Sequence, residues 1–409
     1  MIPAPTAPVL SLNERDRRRS LVETLVAEED LAAIIVFPGG AERLERYLTN
    51  EINNGTVILV AGREPVYVVG RHPLPRFDAI GRLYERWVED IRLGNAVEIA
   101  RELVAEVPPG RRVGIVGRSS RSVGAGAGTI PAGVWAPFAD AFAAYELVDV
   151  SIAFEHLVLV KSDEELAMMR YSAELGERAC AGFVTASRAG RPESESLAAA
   201  FAAMVAGGGE ITGPVIQRSG SDRFGWAAPE WVAMGGGSRV LRAGDTNSAE
   251  IFSHYAGYQT QQQIDVSIGE PDVLLRELEA VCIESYRIGV GMIRPGVRFG
   301  DIAAAMEAPV IDAGFWNTGP QIQTVSPVMY NSATHQNTHV DPRLRALPYM
   351  PPTVPQDGDF VLEKGIVFAV QPNALLRGRR VSIGGAVITG AEGAEELNTI
   401  PLALNVVEA

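Results

Sequence analysis

Glu250, His254 and Tyr255 fall within one strand-like stretch, Glu250-Ile251-Phe252-Ser253-His254-Tyr255. Side chains alternate across a strand, so His254 is expected on the same face as Glu250. A carboxyl and an imidazole sharing a face can give and take protons. A run of amides follows at Gln261, Gln262 and Gln263. Amide groups both donate and accept hydrogen bonds, which suits a neutral polar ligand better than a free charge.

Other chemistries fit these residues less well. Cys180 and Cys282 stand far apart in helix-like segments, which argues for buried thiols over a disulfide framework or a zinc cluster. Gly207-Gly208-Gly209 and Gly235-Gly236-Gly237 lack the Lys-Ser/Thr that completes a phosphate loop. Gly124-Ala125-Gly126-Ala127-Gly128 misses the third glycine of a dinucleotide fingerprint. The motifs therefore imply no cofactor. A formal charge of −14 would repel nucleic acid and anionic membranes. No window approaches ~18 consecutive apolar residues and no signal-peptide pattern opens the chain, so a cytoplasmic protein is expected.

The elements that must position these residues read as two domains. With 409 residues and 47% hydrophobic composition, a large core is available. An amphipathic helix is expected from Ser11 to about Glu29, with Arg17, Arg18 and Arg19 in its solvated first turns. Strands are expected at 33–37, 56–60, 66–69, 113–116 and 147–150, and helices near 94–107 and 132–143. This alternation predicts a small α/β domain over 1–155. Lys161-Ser162-Asp163-Glu164-Glu165 has the spacing of a capping box and predicts that a long helix begins the second domain, 156–409. That half repeats itself. Arg188-Ala189-Gly190 leads to an alanine-rich helix, and so does Arg294-Pro295-Gly296, 106 residues later. A duplicated helix-helix-sheet unit follows.

On these residues the chain resembles the pita-bread fold superfamily of methionine aminopeptidase, aminopeptidase P, prolidase, creatinase and ectoine hydrolase. The resemblance rests on Val160-Lys161-Ser162, Gly244-Asp245, Gly257-Tyr258, Ile268-Gly269-Glu270-Pro271, Arg294-Pro295-Gly296, Val370-Gln371-Pro372 and the stretch from Thr389 to Leu397. It covers nearly the whole chain. The metallopeptidases of this superfamily hold two divalent ions with two Asp, one His and two Glu. The resemblance places Glu250, Gln261, Gln371 and Gly384 at four of these positions and His335 near the fifth. On that basis no metal is expected, and Glu250 has no balancing cation among its neighbours.

The amides with nearby aromatic residues suggest a neutral, aromatic substrate, and the resemblance to creatinase and ectoine hydrolase then implies a metal-independent small-molecule enzyme, either a C–N hydrolase or a C–C/C–X lyase. Its catalytic groups would be Glu250, His254 and His335. Tyr255, Tyr258, Gln261, Gln263 and Gln371 would bind substrate, with Trp226, Trp231 and Trp316 as an apolar wall beside Phe224. A metal-dependent Xaa-Pro peptidase with an altered ligand set is the first alternative, and a catalytically silent ligand-binding protein the second. Relatives with this domain pair imply a homodimer, in which Arg71, His72 and Arg76 would reach the neighbour's cleft.

Overall fold

A computed structural model describes residues 7–38, 43–51, 54–70, 85–122, 128–222, 227–331, 340–346 and 357–409. The chain separates into two compact units. One comprises 9–164 with 327–329, the other 1–8, 165–326 and 330–409.

The first unit opens with α1 (Leu12–Glu28), whose Ser11 hydroxyl accepts from the Glu14 amide and caps the helix. The arginine run does not lie wholly in solvent. Arg18 is buried, 2.7 Å from the Glu14 carboxylate, and its guanidinium covers the rings of Tyr47 and Trp87. The inner face of α1 is thus half ion pair and half apolar, through Val22, Leu25 and Val26. Next come β1 (Leu31–Val36), α2 (Arg46–Thr49), β2 (Gly55–Val60), β3 (Val66–Val69), β4 (Asp90–Leu93), α3 (Ala96–Val104), β5 (Arg112–Val116), α4 (Ala132–Ala141), β6 (Glu146–Asp149) and α5 (Ser151–Leu159). The six strands form one sheet in the order β4-β3-β2-β1-β5-β6. Ile35, Ile58, Val68, Val113 and Ile115 pack from it onto Phe138 and Phe142, whose rings stack 4.4 Å apart. Each such buried aliphatic side chain contributes roughly 1.5–3 kcal/mol.

The second unit is built twice over. Its first half contains α6 (Asp163–Ala186), α7 (Glu193–Ala206), β7 (Ile216–Gly220), α8 (Glu230–Met234), β8 (Thr246–Tyr255) and β9 (Tyr258–Ile268). Its second half contains α9 (Val273–Met292), α10 (Phe299–Asp312), β10 (Ile322–Thr324), β11 (Val367–Val370), β12 (Asn373–Leu376), β13 (Arg379–Ser382), β14 (Gly385–Thr389) and β15 (Ala394–Glu396), with β16 (Asn405–Val407) returning to β9. The sheets run β16-β9-β8-β7 and β10-β11-β14-β15, beside the β12-β13 hairpin.

The echo between the Arg-Ala-Gly and Arg-Pro-Gly turns extends to backbone bonds. Gly190 N–H donates to the Leu241 carbonyl and Gly296 N–H to the Leu362 carbonyl, each at 2.9 Å, and both glycines have positive φ. The return bonds, Leu241 to Arg191 and Leu362 to Val297, match as well. Cys180 and Cys282 occupy corresponding cores as buried free thiols. The fold is therefore the two-part α/β architecture with duplicated ααβ units that the sequence pattern implied.

Candidate functional site

The β8-β9 hairpin sets the site. Ala256 and Gly257 both have positive φ, 47° and 83°, the conformation of a two-residue turn that matches the twist of its strands. Tyr255 pairs with Tyr258 across it, and the register then runs unbroken: His254 with Gln259, Phe252 with Gln261, Glu250 with Gln263, Ser248 with Asp265. Alternation puts these eight side chains on one face. The opposite face carries Ala249, Ile251, Ile264 and Val266 into the core with Cys180 and Phe183.

Residues from the second half close over the polar face. Gln263 Nε2 donates to Gln371 Oε1 at 3.0 Å, and Gln371 Nε2 donates to the Pro320 carbonyl at 3.4 Å. Ser382 Oγ donates to Gln263 Oε1 at 3.2 Å. Gln323 Nε2 donates to Gln261 Oε1 at 2.7 Å. The amides thus form a hydrogen-bonded floor in which Gln261, Gln263 and Gln371 are all buried.

Two charged residues that the sequence reading passed over belong to this face. Asp265 continues the alternation of Gln261 and Gln263, and its Oδ2 accepts from the Ser382 amide at 2.6 Å. Arg380, on β13, lies 3.9 Å from Asp265 Oδ1, with both side chains almost fully buried. Burial raises the Asp265 pKa, opposed by the Arg380 charge, the Ser248 hydroxyl and the Ser382 amide. Burial lowers the Arg380 pKa, opposed by the carboxylates of Asp265 and Glu250. Glu250 therefore does have a cation within electrostatic reach. Arg380 stands four residues before Gly384, and period-two counting back from Gly384 would have found it.

The other expected site residues are more scattered. His254 shares the face of Glu250 but lies four residues along β8, about 13 Å away at ~3.3 Å per residue. It packs beside Phe252 and Gly213. Burial lowers its pKa to about 4, so the ring is neutral near pH 7, and its Nε2 has no hydrogen-bond partner among the described residues. Tyr255 and Tyr258 belong to the opposite face: Tyr255 donates to the Pro8 carbonyl, and Tyr258 to the Glu165 carboxylate. Neither points toward the amide floor. Trp231 is half-buried on α8, and Trp316 is buried where its backbone bridges to Leu375 of β12. Trp226, Phe224, His335, Arg71, His72 and Arg76 lie outside the described residues.

The duplicated helix-helix-sheet unit around a polar hairpin face, carried with a smaller α/β unit, defines a protein of the pita-bread class. The model of metallopeptidase family M24 matches residues 167–394, and the chain belongs to that family. Over 402 residues, 96% of either chain, it is 25% identical to a probable dipeptidase PepE of Mycobacterium bovis. A creatinase of a Bacillus species is 32% identical over 175 residues, 41% of either chain. Among solved structures, dipeptidase PepE from Mycobacterium ulcerans superposes with a TM-score of 0.73 at 20% identity, covering 98% of this chain and all of that one. An X-Pro aminopeptidase from Thermotoga maritima gives 0.73 at 17%, covering 96% and 99%. These correct the expectation of a metal-independent, non-peptidase hydrolase or lyase. The family is one of metallopeptidases, and the end-to-end relatives are named dipeptidases and an X-Pro aminopeptidase.

The family name raises the question of a metal. Among the described residues, no three or more His, Cys, Asp and Glu side chains are grouped to hold one. Of the four described positions that the sequence resemblance assigns to metal ligands, only Glu250 is a carboxylate, and Gln261 and Gln371 are committed to other amides. Gly384 has φ of 109°, and a Cβ there would stand 2.1 Å from the Val370 carbonyl oxygen. The backbone at that position has no room for a carboxylate-bearing residue. The described residues therefore do not fit a pair of divalent ions at the positions that the resemblance assigns.

Proposed function

We propose that the chain is a peptidase acting on short peptides, dipeptides and Xaa-Pro dipeptides foremost, with a ligand set for any metal that departs from the family's five positions. The observation that carries this reading is the similarity to a dipeptidase over 96% of both chains, together with membership of M24. The chain's own groups suit such a substrate. A peptide unit offers one donor and one acceptor, which the paired amides of Gln263 with Gln371 and of Gln261 with Gln323 complement. Glu250 is the proton-carrying group of this reading, and Arg380 beside it favours a ligand carboxylate. His254 is proposed as a neutral hydrogen-bonding group farther along the strand, and His335 as a second proton carrier.

The test is a panel of dipeptides with and without proline in the second position, assayed on chelated protein and on protein given Mn²⁺ or Co²⁺. Release of free amino acids in any arm, abolished by Glu250→Gln, is the expected result. No release from any dipeptide in any arm overturns the reading.

The amide pairs and the Gly384 backbone favour one other reading, a catalytically silent member that binds peptides. Calorimetry separates the two, because a silent member shows saturable heat with the same dipeptides and no product. The expected organisation is a small domain over 1–155 and a larger one over 156–409, in a cytoplasmic homodimer. No described helix is long and apolar enough to cross a membrane.

A further inference from the structure

A cavity of about 220 Å³ with a mixed polar and apolar lining borders β9 at Gln262, Gln263 and Ile264 and reaches Gly384, so it adjoins the amide floor. Glu177 and Cys180 of α6, Tyr286 of α9, Gln262 of β9, and Glu396 and Asn398 of the C-terminal segment line it. The volume is many times what one water needs, roughly 10–15 Å³.

Its polar groups include two buried amide oxygens that receive no donor among the described residues. Gln262 is 1% exposed and its Oε1 has no hydrogen-bond partner among the described residues. Asn398 is half-buried, and its Oδ1 likewise has no hydrogen-bond partner among the described residues. Each oxygen sits over a bare glycine: a Cβ on Gly176 would meet Gln262 Oε1 at 2.0 Å, and one on Gly385 would meet Asn398 Oδ1 at 2.2 Å. The donors nearby are already used. Asn398 Nδ2 donates to the Tyr286 hydroxyl, which donates to Glu396 Oε2 at 2.8 Å. The amides of Thr399 and Ile400 and the Thr399 hydroxyl all donate to Glu177 Oε2. Burial raises the Cys180 pKa well above its ordinary value, so the thiol adds no charge.

We propose that this cavity is a binding site for a monovalent cation of potassium or ammonium size. Two amide oxygens lacking donors need a ligand that donates or is positive, since a buried acceptor left unmade costs roughly 1–3 kcal/mol. Two carboxylates among the lining residues, Glu177 and Glu396, exclude an anion. Hard cations take oxygen ligands such as these. With no cluster of three acidic or imidazole groups among the described residues, a divalent ion is the poorer match. The bound ion would tie α6 and α9 to the segment from Glu396 to Asn405 and so stabilise the fold.

The experiment measures thermal unfolding of the full chain in tetramethylammonium, lithium, sodium, potassium and ammonium chlorides at equal ionic strength. A Tm about 2–5 °C higher in potassium or ammonium than in tetramethylammonium is expected by mass action. Which of the two gives the larger rise identifies the ion. The difference should vanish in Glu396→Gln, an exposed position where the amide oxygen still accepts from Tyr286, and in Gln262→Leu. A rubidium-soaked crystal should show an anomalous peak between Gln262 and Glu396. Equal Tm values in all five salts, or an ion ranking unchanged in Glu396→Gln, overturns the proposal.

Discussion

Arg380 and Asp265 face each other at 3.9 Å with both side chains almost fully buried, and Glu250 places a second carboxylate within reach of the same guanidinium. One cation therefore balances two acids that the hairpin register sets two residue pairs apart, on the same face of β8 and β9. Removing a buried partner is far worse than never having the pair, because it strands the remaining charge.

Arg380→Met should accordingly destabilise the second unit by about 3–5 kcal/mol near pH 7. Pairing it with Asp265→Asn should recover a good part of that loss, which a double-mutant cycle in urea reads as coupling. The sign with pH follows from the raised Asp265 pKa. A carboxyl that titrates higher when folded favours folding below its unfolded value of about 3.9 and loses that support as pH rises through the folded value. The Arg380→Met deficit should thus shrink on acidification. Additive single effects with no pH dependence would mean that the two groups do not act as a pair.

The amide floor predicts how the site answers carboxylates. Gln261 and Gln371 both use Oε1 to accept, from Gln323 and Gln263 respectively, so Gln261→Glu and Gln371→Glu keep those bonds and add charge. Without metal, the double variant should lose stability, by roughly 2–4 kcal/mol for two uncompensated buried charges. Mn²⁺ should restore its Tm by more than it moves the Tm of the unaltered protein. A double variant indifferent to Mn²⁺ would show that these positions no longer converge on a metal-sized space.

Gly384 tests the same site through the backbone. With φ at 109°, and with Val370 O at 2.1 Å and the Tyr286 ring at 3.0 Å from a Cβ position, Gly384→Ala should cost about 2–4 kcal/mol. The urea midpoint should fall with the m-value unchanged. A change below about 0.5 kcal/mol would mean that the segment shifts freely to make room.

Much of this architecture was legible because its signals are local. Ser11 capping α1, the Gly190 and Gly296 turns, and the period-two stretches of the β8-β9 hairpin are set by neighbours in sequence. The polar face was legible in part for the same reason: once Glu250 and Gln261 are on it, Gln263 follows by alternation. Arg380 and Gln323 were missed because they arrive from the second half of the duplication, over 100 and 50 residues away from the hairpin side chains they meet. No local pattern announces Gln323, whereas period-two counting back from Gly384 would have flagged Arg380. Arg18 failed differently, since an arginine run reads as solvated while the Glu14 carboxylate and the Tyr47 and Trp87 rings together make burial affordable. Tyr255 and Tyr258 were assigned to the site by nearness in sequence, and parity from Glu250 already placed both on the other face.

His254 gives a pH signature that its neighbours do not share. Its imidazole is neutral in the folded protein because burial lowers its pKa to about 4, against about 6.5 in an unfolded chain. Between those values the unfolded state binds the extra proton, so stability should rise as pH increases from about 4 to 6.5 and then level off. The full span is worth at most about 3 kcal/mol at ~1.4 kcal/mol per pKa unit. Replacing the ring by a group of similar size that does not titrate, His254→Gln, should flatten that part of the curve while leaving the Asp265 and Arg380 contributions in place. The comparison is urea unfolding of both proteins at pH 4.5 and pH 7. If the difference between the two pH values is the same with and without the imidazole, His254 is not the group that gains a proton on unfolding, and its ring must be charged or solvated in the fold.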